Sequence, residues 1–359
     1  MKKNLLVLPN LVTGGGQKLV IDIATRLHKQ KFDVTVLSLY ERQGYMFEKI
    51  ADENNVNVIY LNKKVGFDVK VIFDVHKVIK KYKPHIIHTH LYVMPYVLIP
   101  TLLNNIKKRV HTVHTMAWRE SKGIQKIIMS ISYKIFNFIP VAISEENKNA
   151  LVQEYNFTGN QVKCIHNGID TIHFRKINTH NSSNNEIVFV SVARFEEVKN
   201  HQLMIHAFFE VNKKFPSTKL VLIGDGELRS QIETLVHDLK IENNVVFKGI
   251  QENVLEELNQ ADIYLISSNV EGLPLSVLEA MSCELPVIST KAGGIVDIVK
   301  DGENGLVVPV DNKFEFQAAM KKLISDSELR KMMSKNSRKL AIQWDIKNCV
   351  DNYEKLYEN

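Results

Sequence analysis

The chain has little cysteine, few arginines and no long apolar run, and each shortage removes a class of protein. Its three cysteines, Cys164, Cys283 and Cys349, are odd in number and far apart, so neither a disulfide framework nor a thiolate zinc site is expected. The apolar run after the opening Met-Lys-Lys-Asn stops at Pro9, too short for the core of a signal peptide and far short of a membrane span. A cytoplasmic, reducing setting is the expectation. Lysine outnumbers arginine 37 to 9 and no basic run is interleaved with aromatics, which argues against a nucleic-acid groove. No Asp-x-Asp segment occurs, so no divalent metal or other cofactor is expected.

What is present is ordinary globular material. With 359 residues, 45% hydrophobic and 24% charged, the chain exceeds what one core serves, and two domains are expected. The net charge of +6 is unevenly divided. Residues 1–175 carry 25 basic against 13 acidic side chains and the remainder 21 against 27, so an N-terminal half of +12 is joined to a C-terminal half of −6. That half is expected to meet something anionic, a membrane surface or a phosphorylated acceptor, unless the lysines only solubilise it.

Short β-branched runs alternate with amphipathic segments. Leu5–Leu8, Val34–Leu39, Val56–Leu61, His85–Thr89, Arg109–Val113 and Ile139–Ile143 read as strands, with helices such as Gln17–Lys29 and Val69–Tyr82 between them. After a polar stretch the pattern restarts, with strands at Ile187–Val192, Leu220–Ile223, Val245–Phe247, Ile263–Ile266, Pro286–Ser289 and Gly305–Val308. Strict alternation means parallel βαβ units. The expected fold is α/β: two Rossmann-like, doubly wound parallel-sheet domains facing across a cleft. The divisions read as 1–177, a linker at 178–186, a second domain at 187–340, and a final segment 341–359. The last helices are expected at Phe314–Leu323 and from Glu328 on to Tyr357.

Four places carry chemistry. Gly14-Gly15-Gly16-Gln17 falls between the first strand and first helix, where residues without Cβ let backbone N–H groups approach an anion; a plain tight turn would look the same. Glu271-Gly272-Leu273-Pro274-Leu275-Ser276 runs from a strand into a helix, with Pro274 suited to its first turn and the N–H groups of Leu275 and Ser276 placed for a pyrophosphate. Glu271 and Glu279 beside such a site suit a ligand with hydroxyls as well as phosphate; otherwise Glu279 is a solvated helix residue. Arg194 and Lys199 lie after the second domain's first strand and before its first helix and could neutralise a diphosphate leaving group, or be surface cations. His111 and His114 end one strand and His88 and His90 another; for His88 and His111 the buried, hydrogen-bonded state is expected.

Together these residues resemble glycosyltransferase family 4, the retaining group 1 enzymes of the GT-B fold, and Val141-Ala142-Ile143-Ser144, His166-Asn167-Gly168-Ile169-Asp170 and Gly293-Gly294 match its framework segments. The resemblance implies a nucleotide-sugar donor, a UDP-sugar, and a hydroxyl acceptor in surface polysaccharide, teichoic acid or glycolipid synthesis, lipid-linked or an anionic polymer. It implies that Arg194 and Lys199 hold the diphosphate and Glu279 the ribose, and that Glu271 with the backbone of Gly272 and Leu273 holds the sugar. His114 contacts the transferred sugar, and Gly15 and Gly16 bring backbone donors. Acceptor contacts fall near Gln17, Thr115 and Trp118, where Gln17 and Thr115 depart from the acidic residues common in the family. Same-face attack with retention follows, without a metal, and the resemblance also implies that the segment 341–359 crosses back to the first domain. A non-catalytic partner of a transferase, a nucleotide-sugar 2-epimerase and a phosphorylase share the architecture.

Ile124, Ile127, Ile128, Ile131 and Ile135 fall on one helical face, with Lys122 and Lys126 opposite. Docking on its own sheet is the first expectation for this stripe. An interfacial helix at the inner face of a membrane is the second.

Overall fold

The computed structural model describes residues 1–12, 14–116, 118, 122–177 and 186–359, which form two compact units. Unit 1 is Met1–Asn167 together with Ile346–Asn359, and unit 2 is Gly168–Asp345. Each is described by itself.

Unit 1 holds seven parallel strands: β1 Lys2–Leu8, β2 Phe32–Ser38, β3 Asn57–Tyr60, β4 Ile86–His90, β5 Lys108–Val113, β6 Ile139–Ala142 and β7 Lys163–Cys164, in the order β3-β2-β1-β4-β5-β6-β7. The strand pleat divides its side chains between two cores. On β1, Leu5 and Val7 join a core with Val71, Val75, Val97 and Tyr133, while Leu6 and Leu8 join one with Val20, Ile23, Tyr353 and Tyr357. The second core is completed by the last helix, Ile346–Glu358, whose Ile346, Cys349, Val350, Tyr353 and Tyr357 are all buried there.

Unit 2 holds six parallel strands: β8 Ile187–Val192, β9 Thr218–Ile223, β10 Val245–Gly249, β11 Ile263–Ile266, β12 Val287–Thr290 and β13 Gly305–Val308, in the order β10-β9-β8-β11-β12-β13. In both sheets the strand order reverses beside the first strand, between β1 and β4 and between β8 and β11, and in open parallel sheets the carboxyl ends at such a switch point are where ligands gather.

Several boundaries differ from the sequence expectation. The division lies at Asn167, ten residues before the expected 177, because Gly168–Ile177 is tied to unit 2. The Phe174 carbonyl accepts from Ser282 Oγ at 2.6 Å and Arg338 at 2.9 Å, and Ile177 N donates to Asn259 Oδ1 at 2.6 Å. Residues 178–185 of the expected linker lie outside the described ones. At the other end unit 2 runs to Asp345 and not to 340, and the expected single helix from Glu328 is two. Ser327–Ala341 stops at a 3-10 turn, Ile342–Trp344, where the Trp344 carbonyl accepts from Ile169 N at 3.0 Å and the Asp345 carboxylate accepts from the Thr171 hydroxyl.

The isoleucine stripe also departs from its first expectation. Helix Ile124–Lys134 buries Met129, Ser132 and Tyr133, while Ile124, Ile127 and Ile135 stay 74%, 59% and 64% exposed; only Ile128 packs partly on the core. No helix among the described residues is long and apolar enough to cross a membrane.

Candidate functional site

In unit 2 the loop after β11 and the helix after it meet the loop after β8. Lys199 Nζ lies 2.6 Å from Glu271 Oε1, and Ser268 Oγ donates to that oxygen at 2.6 Å. The side chains of Lys199 and Glu271 are 21% and 8% exposed, so the pair is largely withdrawn from water. The backbone holds Glu271 as tightly. Gly293, at φ +54°, lies so close that any Cβ there would overlap the Glu271 carbonyl, and Gly294 N donates to the Gly272 carbonyl at 3.0 Å.

Helix Leu275–Ser282 begins one residue later than the sequence reading placed it: Pro274 is the N-cap, at φ −75° and ψ 108°, and not its first residue. No side chain caps this N-terminus, so its dipole and orphan N–H groups face whatever occupies the site. Ser276 Oγ lies 2.8 Å from Tyr264 Oη, which is itself 3.2 Å from the Val192 carbonyl, tying helix, β11 and β8 together. Leu273 and Glu279 are buried, so Glu279 is not the solvated residue of the bland reading. Arg194 differs from Lys199: its side chain is 70% exposed and pairs with Glu196 at 2.8 Å.

In unit 1 the helix Gly15–Arg26 starts at the glycine segment, with Gly14 as its N-cap. Thr13 lies outside the described residues. Gly16 packs on the ring of His114, three atoms of which would be 3.2–3.3 Å from any Cβ at that position. A Cβ there would crowd the ring, so this approach favours glycine. His114 Nε2 lies 3.0 Å from His90 Nδ1. His88 and His111 are buried and hydrogen-bonded, His88 to Tyr357 Oη and Thr112 Oγ1 and His111 to Thr89 Oγ1. Burial holds the His88 and His90 imidazoles well below the usual range, so both are neutral. Gln17 is buried and donates to Asn10 Oδ1 at 3.3 Å, the Thr115 carbonyl accepts from Asn147, and Trp118 is exposed.

One grouping was not legible in the sequence. Glu145, Cys164 and His166 bring ligand atoms within 4.8 Å of one another at the edge of unit 1, with Cys164 Sγ 3.6 Å from His166 Nε2. Weighing cysteines only against other cysteines misses it, because two of the three groups are not thiols.

The family follows from comparison with known proteins. Residues 173–340 match the sequence model described as glycosyl transferases group 1, and residues 13–173 the one described as glycosyltransferase family 4. The chain belongs to this glycosyltransferase family. An uncharacterised glycosyltransferase of Methanocaldococcus jannaschii is 27% identical over 338 residues, covering 81% of this chain and 83% of that protein. The UDP-Gal:α-D-GlcNAc-diphosphoundecaprenol α-1,3-galactosyltransferase of Escherichia coli is 24% identical over 366 residues, covering 96% and 93%. Among solved structures, Anabaena HepE in complex with UDP and glucose superposes with a TM-score of 0.88 at 19% identity over all of both chains. That likeness establishes the fold: the two parallel-sheet units are those of a GT-B glycosyltransferase.

Proposed function

We propose that this glycosyltransferase moves a hexosyl or N-acetylhexosaminyl group from a UDP-sugar to a hydroxyl of a lipid-linked or anionic polymer acceptor, with retention and without a metal. The observation that carries the reading is the Lys199–Glu271–Ser268 cluster beside the uncapped helix Leu275–Ser282. An ammonium largely withdrawn from water and a helix N-terminus are what a departing diphosphate needs, because both stabilise charge that grows as the sugar–phosphate bond breaks. Arg194 swings from Glu196 to the same diphosphate. Glu279 binds the ribose hydroxyls, and Glu271 with the backbone of Gly272 and Leu273 binds the sugar. In unit 1, His114 contacts the transferred sugar, Gly15 and Gly16 offer backbone donors, and Gln17, Thr115 and Trp118 serve the acceptor. The acceptor oxygen attacks the face the diphosphate leaves, and the donor phosphate takes its proton.

Relatives whose names state diphosphoundecaprenol acceptors support the lipid-linked alternative. Exposed Ile124, Ile127 and Ile135, in a half of net charge +12, support peripheral contact with anionic lipid at the inner membrane face. The test is a thermal-shift panel of nucleotide sugars followed by mass spectrometry of products formed on lipid-linked and polymeric acceptors. A UDP-sugar at a hundredfold its Kd should add about 2.7 kcal/mol of stability. Turnover of the donor to a new free nucleotide sugar with no acceptor present would instead identify an epimerase.

A further inference from the structure

At the edge of unit 1 a thiol, an imidazole and a carboxylate converge, and the sugar transfer proposed above uses none of them. β7 is the outermost strand of its sheet. It runs beside β6 with Cys164 opposite Ala142, and Ile165 N donates to the Ala142 carbonyl at 2.9 Å. That register brings the end of β7 alongside the helix Glu145–Tyr155, whose start is fixed by its cap: Ser144 Oγ accepts from Asn147 N at 3.0 Å. Cys164 and His166, two residues apart, turn to the same side of the chain, and Glu145 reaches them from the first turn of that helix.

The distances suit a tetrahedral ion. Zn–S of about 2.3 Å and Zn–N of about 2.0–2.1 Å at a tetrahedral angle place sulfur and nitrogen about 3.6 Å apart. Cys164 Sγ lies 3.6 Å from His166 Nε2. An S–H···N hydrogen bond spans a similar length, so the carboxylate is what sets this group apart from a plain thiol–imidazole pair. A Glu145 oxygen stands within 4.8 Å of both atoms, at most about 1.3 Å beyond the separation of ligand atoms around zinc. The Glu145 side chain is 53% exposed and its contact with Lys148 is long, 3.4 Å, so a change of rotamer closes that gap at little cost.

We propose that Glu145, Cys164 and His166 bind one thiophilic divalent ion of the zinc class through Oε, Sγ and Nε2, with water in the fourth position. A thiolate with an imidazole selects zinc over magnesium or calcium, which take oxygen ligands. Charge agrees, since one thiolate and one carboxylate neutralise a divalent ion. Cys164 binds as the thiolate, its S–H proton leaving for solvent as the metal–sulfur bond forms, while His166 gives the Nε2 lone pair and keeps its proton on Nδ1. Three protein ligands and a water are a common zinc set, and the open edge of the sheet admits the water. The ion clips the end of β7 to the first turn of the next helix, immediately before residue 168, where unit 2 begins.

The experiment titrates the untagged full chain, stripped with EDTA and dialysed, with cobalt(II) and then with zinc(II). Cobalt should raise a near-ultraviolet thiolate-to-metal charge-transfer band that saturates at one ion per chain, and zinc should displace it. Cys283 and Cys349 are buried, so the band reports Cys164. Zinc affinity should fall at least about 100-fold in Cys164→Ser and His166→Gln, and about tenfold in Glu145→Gln, whose exposed position leaves folding undisturbed. In the unsubstituted protein, zinc should also slow alkylation of Cys164 by iodoacetamide, read by mass spectrometry of the peptide that carries it. Cobalt uptake without the band, a band that persists in Cys164→Ser, or equal zinc affinity in Glu145→Gln overturns the proposal. Alkylation of Cys164 at an unchanged rate under saturating zinc overturns it even if neither the Cys164 nor the His166 variant folds.

Discussion

Replacing Lys199 by methionine should have two separable effects. The variant keeps the apolar stem and removes the ammonium 2.6 Å from Glu271 Oε1, leaving a carboxylate that is 8% exposed with Ser268 Oγ as its remaining close donor. Breaking a fully buried pair on one side costs about 3–5 kcal/mol. Here the lysine is 21% exposed and the serine bond survives, so about 2–3 kcal/mol is expected. Glu271→Gln alone should cost less, about 1 kcal/mol, because the lysine can turn toward water. The cycle formed with the double variant should return a coupling energy of about 1.5 kcal/mol by urea denaturation. Turnover is the second effect. Loss of a cation aimed at the leaving diphosphate should lower kcat by about two to three orders of magnitude in both Lys199→Met and the double variant. Additive stabilities, with coupling below about 0.5 kcal/mol, would refute the ion pair as drawn. Turnover within a few-fold of normal would refute its assignment to the diphosphate.

Other perturbations address other links. Gly16→Ala places a methyl 3.2–3.3 Å from the His114 ring, a crowding that a few tenths of an ångström relieves; the melting temperature should change little while kcat falls at least about tenfold through displacement of the ring. Gly293→Ala should be far worse, about 3 kcal/mol or more, because the strained φ of +54° and overlap with the Glu271 carbonyl act together, and soluble yield and urea midpoint would report it. Burial, aided by Lys199, pushes the His201 imidazole down to about 4. The unfolded chain therefore takes up a proton below about pH 6.5 that the folded chain refuses until about pH 4, so stability is lost as pH falls through that window. His201→Gln should remove about 2 kcal/mol of that acid loss, read from urea midpoints at pH 6.5 and 4.5. Chelators should leave turnover unchanged, and a rate abolished by EDTA and restored by a divalent ion would sink the metal-independent mechanism.

The strand plan was legible because buried parallel strands are unbroken β-branched runs between helical periods, as at Ile187–Val192 and Ile263–Ile266. β7, only Lys163–Cys164, is too short to leave a period. The break at Ile342–Trp344 was hidden for another reason: no proline or glycine marks it, and it is imposed by contacts with Ile169 and Thr171, remote in sequence. The true boundary after Asn167 was masked likewise, since the polar composition of 178–186 announces a linker, whereas side chains of Asn259, Ser282 and Arg338 decide where unit 2 starts. At the site, Lys199, Glu271, Gly16 and His114 could be picked out from residue type and position after a strand. The Lys199–Glu271 pairing and the His90–His114 contact could not, because both join different strand ends and depend on side-chain rotamers.

The last helix also sets an order of events during synthesis. All seven strands of unit 1 are made before residue 168, yet one of its two cores lacks Tyr353 and Tyr357 until nearly the whole chain exists. At about 5–20 residues per second, translating the intervening unit takes on the order of ten to thirty seconds. Throughout that wait the face of β1 bearing Leu6 and Leu8 stays partly uncovered, a nascent surface that invites chaperones, while unit 2 can finish folding on its own.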